Sequence, residues 1–157
     1  MLNEDLIEMA FIDQLTGQDF EFHHGPDIAP DSDNPQRKKF DSVVLENELL
    51  KAIERLNPNV PSSAINEAHQ KVLNLGTEDI MENNERFHNY LTNGVPVEFT
   101  KDGASKGVNV DLLDIKNPEN NTYWAVNQLV IKENNVNRRL DVVIYINGLP
   151  LVVVELK

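Results

Sequence analysis

Residues 138–157, "RRLDVVIYINGLPLVVVELK", decide the fold. Between Leu140 and Val154 almost every residue is apolar, and the run is broken at Asn147–Gly148, the dipeptide that signals a tight hairpin turn. The stretch reads as two adjacent strands, and strands this apolar are expected to be central and covered on both faces. Glu155 and Lys157 stand out on that background. A carboxylate and an ammonium inside a sheet are costly unless each has a partner. Strand alternation puts them on one face, with Val153 and Leu151 beneath. Asp141 lies seven residues before Gly148 and Glu155 seven after it. A hairpin symmetric about Gly148 sets the two carboxylates opposite each other, roughly 5 Å apart at Cβ. Such a pair repels unless a divalent cation sits between its members or one holds a proton. Magnesium, a hard ion that takes carboxylates, water and phosphate oxygens, suits the position.

A second register competes with this one. A two-residue Asn147–Gly148 turn pairs Ile146 with Leu149 and sends Asp141 and Glu155 to different faces. A three-residue loop with Gly148 left-handed, or a bulge nearby, restores the pairing. Pro150 has no N–H for the ladder, so an irregularity is expected beside it.

Working outward, "VPVEFT", "VNVDLLDI" and "YWAVNQLVI" are further β-rich runs separated by short turn sequences. Before them come helices. Residues 3–15 carry Leu6, Met9 and Ile12 at helical spacing with Asn3 as a cap. Residues 41–56 form the strongest helical pattern, capped by Asp41. A third helix starts at Ser62 or Ser63 and runs to about residue 75, and a fourth covers roughly 78–92 and ends at Gly94. Residues 16–40 are dense in Gly, Pro, Asp and Ser and read as an exposed loop. Helices first and consecutive strands after give an α+β fold, with helices packed on a central, largely antiparallel sheet.

The chain has 157 residues, 40% hydrophobic and 25% charged, as expected of one globular domain with its own core. No apolar run approaches a membrane span, and "MLNEDLIEMAF" is too acidic for a signal peptide. The absence of cysteine excludes disulfides and thiolate metal sites and suits a reducing cytoplasm. A net charge of −12 argues against strong, independent nucleic-acid binding.

"DVVIYINGLPLVVVELK" closely resembles the nuclease core of the restriction (motor) subunit of type I restriction-modification enzymes. The resemblance extends through "NPENNTYWAVNQLVI", "ERFHNYLTNGVPVEF", "LLKAIERLNPNVP" and "NEDLIEMAFIDQL", nearly the whole chain. It implies a PD-(D/E)xK nuclease domain cutting duplex DNA with Mg²⁺, beside modification and specificity subunits. By matching position, the metal-binding carboxylates fall on Asp141 and Glu155, the catalytic lysine on Lys157, and a further metal ligand on the backbone carbonyl of Leu156. The family often adds a glutamate from the first helix. Glu8 is the better match and Glu4, one turn earlier on the same face, the other candidate; a solvated helix face explains both equally well. Two departures point to a fragment of a longer subunit. The family's Gln-x-x-x-Tyr helix would follow Lys157, and "DGASKG" lacks the Gly-Lys-Ser/Thr ending of an ATP-binding loop, so ATP belongs to motor domains outside residues 1–157.

Two other readings compete. One is a non-catalytic interaction module in which Asp141, Glu155 and Lys157 form an ion cluster. The other is a repair nuclease of the same fold. The remaining polar groups are weaker candidates: His23–His24 near Asp27 as an exposed pair, His69 and His88 as helix-surface residues, and Tyr123 and Trp124 as packing groups. Arg138, Arg139 and Lys132 are the cations nearest the proposed site, and solvated strand ends are the simplest account of them.

Overall fold

The computed structural model describes residues 3–156. Lys157 lies outside them. The chain forms two compact units, one from Met1–Asn47 with Thr122–Lys157 and the other from Glu48–Asn121.

The first unit holds helix α1 (Glu4–Thr16), strand β1 (Glu21–His24), a 3₁₀ turn at Gly25–Ile28, and strands β4 (Tyr123–Glu133), β5 (Val136–Ile146) and β6 (Leu149–Val154). Its sheet runs β1-β4-β5-β6, with β1 parallel to β4 and the other pairs antiparallel. The core beneath it gathers Ile28, Leu45, Trp124, Val126, Leu129, Val143 and Tyr145. Burying each large side chain of this kind is worth about 1.5–3 kcal/mol.

The second unit holds the greater part of α2 (Glu46–Leu56), helices α3 (Ser62–Leu73) and α4 (Ile80–Asn93), and the hairpin β2 (Val95–Lys101) with β3 (Ala104–Val110). Asp79 caps α4 by accepting from the N–H groups of Met81 and Glu82, and Gly94 ends it at φ 79°. Asp114 organises the loop after β3. One carboxylate oxygen accepts from the Asn117 N–H at 2.9 Å and the other from Asn120 Nδ2 at 2.8 Å.

The α+β class and all four helices are as the sequence indicates, with corrections in detail. The strands do not form one continuous meander, because β2 and β3 make a separate two-stranded sheet. The segment 16–40 is not all loop. Its "EFHH" adds β1 along β4, and Gly25 follows so closely that a Cβ there would stand 2.6 Å from the carbonyl oxygens of Asn127 and Gln128. Helix α2 starts at Glu46 and not at 41, because the Leu45 N–H is already used by the Gly148 carbonyl. In α1 the buried stripe is Glu8, Ile12 and Leu15, while Leu6 and Met9 are exposed. Strand β6 is a sheet edge among the described residues, with Val152 45% and Val153 53% exposed, so of the two strands of this hairpin β5 alone is interior. His69 is buried and not on the helix surface.

Candidate active site at the ends of β5 and β6

The hairpin joining β5 to β6 combines both irregularities open to the sequence. Asn147 at φ 52° and Gly148 at φ 79° form a two-residue turn with both positions left-handed, and Ile146 pairs with Leu149. That conformation needs Gly or Asn, which is why this dipeptide stands here. The turn is docked as well. Asn147 is fully buried, its Oδ1 accepts from the Thr122 N–H at 2.8 Å, and its own N–H donates to the Thr122 carbonyl at 2.9 Å.

One step further the register shifts. Tyr145 pairs with Pro150 but Ile144 pairs with Val152, so Leu151 is an extra residue on β6. This is the bulge that Pro150 made plausible. From there the ladder runs Val143 to Val153 and Val142 to Val154. The pairing ends there; one more step of the same ladder would bring Glu155 level with Asp141. Without Leu151 as an extra residue the turn would send these carboxylates to opposite sides. Past Val154 the chain leaves the ladder, and the Leu156 N–H donates to Asp141 Oδ2 at 2.7 Å. That bond occupies one oxygen of Asp141. Glu155 is exposed.

Glu8 of α1 packs on β4. It is only 8% exposed, and its two oxygens take different donors, Asn127 Nδ2 at 2.7 Å and Gln128 Nε2 at 2.5 Å. Neighbouring side chains on a strand should face opposite ways. Gln128 has φ 51°, which breaks the alternation and lets both amides grip one carboxylate. Asn127 pairs with Val142 and Leu129 with Leu140, so Gln128 falls opposite Asp141. His24 joins from β1, its Nδ1 2.7 Å from Asn127 Oδ1. Since Asn127 uses its NH₂ on Glu8, its oxygen accepts and His24 Nδ1 carries the proton.

Glu4 is exposed and makes no part of this arrangement. Among the described residues, no three His, Asp or Glu side chains gather closely enough to hold a metal ion together. A hard divalent cation fits the donor chemistry of two carboxylates and a backbone carbonyl at Asp141, Glu155 and Leu156, with water completing the shell. The amide network and the buried Asn147 were not anticipated from the sequence. Two adjacent amides interrupting the apolar "YWAVNQLVI" were the available sign.

All residues 1–157 match the family model described as "Type I restriction enzyme R protein N terminus (HSDR_N)". The chain belongs to this family. It is 35% identical over its whole length to the type I restriction enzyme HindI endonuclease subunit of Haemophilus influenzae. It is 31% identical over 99% of its length to the putative type I restriction enzyme MjaIXP endonuclease subunit of Methanocaldococcus jannaschii. The chain spans 15% of the length of each of these relatives. In this R-protein N terminus, Asp141 lies on β5, Glu155 just past the end of β6, and Lys157 outside the described residues. No helix among its described residues is long and apolar enough to cross a membrane.

Proposed function

We propose that residues 1–157 are the N-terminal part of the nuclease domain of a type I restriction enzyme R subunit, which cuts duplex DNA with Mg²⁺. The observation that supports this reading is the Leu151 bulge in a chain of this family, a one-residue shift of β6 against β5 just before Asp141 and Glu155. Asp141 and Glu155, with the Leu156 carbonyl, are the groups that would hold the cation. When bound, Mg²⁺ would polarise the scissile phosphate and acidify a water molecule. Lys157 supplies positive charge to the phosphate as the transition state forms. Glu8, fixed by its two amides, is the first-helix glutamate that would assist the metal carboxylates. In the whole subunit, ATP hydrolysis in the motor domains pulls DNA toward this site, and the modification and specificity subunits supply sequence recognition. The complex works in the cytoplasm.

The test uses the full-length subunit in its complex. Lys157→Ala and Glu155→Ala each lower DNA cleavage by about 10²–10³, the usual cost of one such transition-state contact, and leave ATP hydrolysis near wild type. Cleavage at the normal rate, or ATPase activity lost in step with cleavage, overturns the assignment. The bond from Leu156 to Asp141 supports a second reading, a structural cluster that pins the strand end. In that case the same substitutions lower stability and not turnover.

A further inference from the structure

Of the 14 Lys and Arg residues, six lie in two short stretches: Arg37, Lys38 and Lys39, and Lys132, Arg138 and Arg139. In a chain of net charge −12 this is a strong concentration. The fold ties the two stretches together. Arg37, 3% exposed, donates from Nη2 to the Val130 carbonyl at 3.0 Å and from Nη1 to the Ser42 carbonyl at 3.2 Å. The Lys132 N–H donates to the Phe40 carbonyl at 3.3 Å, and Lys132 Nζ sits 3.9 Å above the Phe40 ring. Arg37 thus acts as a staple that spends its charge inside the protein, and the surface charge is left to the others.

Those others lie on or beside an unusual element. Strands β4 and β5 continue past the core as a two-stranded ribbon whose residues 132–139 are all exposed. It closes in a tight turn with Asn134 at φ 47° and Asn135 at φ 66°. Val130 pairs with Arg139 and Lys132 with Asn137, so Lys132 and Arg139 share one face. Ile131 pairs with Arg138, which puts that guanidinium on the other face. Among the described residues, no ion pair involves Lys39, Lys132, Arg138 or Arg139. The acidic residues nearby in sequence are Glu133 on the ribbon, Asp41, and Glu46, which Lys38 holds at 2.5 Å.

We propose that this ribbon is a docking element for duplex DNA, entering a groove tip-first with a cation toward the phosphates on each wall. A two-stranded ribbon fits the major groove, and the three amides of Asn134, Asn135 and Asn137 suit its polar floor. Cations on both faces are what two flanking phosphate rails require. Arg139 stands two residues before Asp141 on the same strand, one same-face step of about 7 Å. A duplex held by the ribbon therefore lies alongside the proposed metal carboxylates. In this last respect the inference rests on the nuclease reading; the docking itself does not.

The experiment measures binding of this chain to a 30-base-pair duplex of mixed sequence, without divalent cations, across a series of KCl concentrations. Wild type binds weakly, in the 10⁻⁴–10⁻⁶ M range, with a clear salt dependence. The triple variant Lys132→Gln, Arg138→Gln, Arg139→Gln loses about tenfold or more at low salt, and its log–log salt slope falls by about 2.7, near 0.9 per phosphate contact. The control Lys101→Gln, Lys106→Gln, Lys116→Gln changes net charge equally in the other unit and stays within about twofold. Equal losses in the two variants, tighter binding of a single-stranded oligonucleotide, or no salt-dependent duplex binding by wild type overturns the proposal. Because no cleavage is measured, failure of the nuclease reading leaves this result standing, and failure here leaves that reading intact.

Discussion

The Leu156 N–H donates to the Asp141 carboxylate at 2.7 Å, so the chain just past β6 is fastened back to β5. Charge and hydrogen-bond acceptance can be separated at this position. Asp141→Asn keeps an oxygen for the Leu156 N–H but removes the negative charge, whereas Asp141→Ala removes both. In the full-length subunit both variants lose DNA cleavage to a similar extent. Denaturant unfolding of this chain distinguishes them: Asn stays within about 1 kcal/mol of wild type, and Ala loses about 1–3 kcal/mol for the orphaned donor. Normal cleavage by the Asn variant sinks the metal-ligand role and leaves a purely structural one.

Glu8 provides a second test. Its carboxylate accepts from two amide groups, and each hydrogen bond to a charged acceptor is worth about 1.5–3 kcal/mol. Glu8→Gln replaces one accepting oxygen by an NH₂ that faces another NH₂, so it cannot satisfy both Asn127 and Gln128. The expected loss is about 1–3 kcal/mol in urea unfolding, together with weaker cleavage in the full subunit. A variant as stable as wild type refutes the network described here.

These sites were unevenly legible in the sequence. Asp141 and Glu155 are conspicuous in the sequence as charges beside apolar strands, and Pro150 marks where the ladder breaks. The choice of register was not legible, because Leu151 carries no local signature of being the unpaired residue. Strand β1 was hidden for a different reason. Its four residues "EFHH" have no β pattern of their own and are held by pairing with β4, beside a Gly25 that only the fold explains. The face of α1 was misjudged because a buried Glu8 breaks the expected apolar stripe, and what compensates its burial lies 119 and 120 residues away in sequence at Asn127 and Gln128.

Asp114 sets an acid-side dependence. The Asn120 side chain, then the Asn117 N–H, hold its carboxyl below the ordinary carboxylate range. A depressed folded-state pKa contributes stability that is present above the ordinary carboxylate pKa, about 3.9, and is lost as pH falls through the folded value. Asp114→Ala is therefore less stable than wild type at pH 7, and the two thermal midpoints converge as the pH is lowered to about 3. Midpoints that stay equally separated from pH 7 to pH 3 contradict this role.

Tyr145 sets the alkaline limit. Its ring is buried in the core, its hydroxyl donates to the Val43 carbonyl at 2.8 Å, and burial pushes its pKa up to about 12, with the nearby Arg37 charge opposing. The unfolded tyrosine titrates near 10, so the folded state holds its proton more tightly than the unfolded one. That stability is fully present below about pH 10 and is lost as pH rises toward about 12, a change of roughly 3 kcal/mol across the window. Tyr145→Phe removes the titration and the hydrogen bond together. At pH 8 the Phe variant is less stable than wild type by about 1 kcal/mol, the net worth of one hydrogen bond. Since the other tyrosines and the lysines titrate alike in both proteins, the difference between their unfolding curves isolates this hydroxyl. Measured by urea unfolding at pH 8, 10 and 11.5, the wild-type advantage shrinks and then reverses, leaving the Phe variant the more stable protein at the highest pH. Curves that run parallel through the whole range mean that Tyr145 ionises as readily in the fold as out of it, and that its burial does not govern alkaline unfolding.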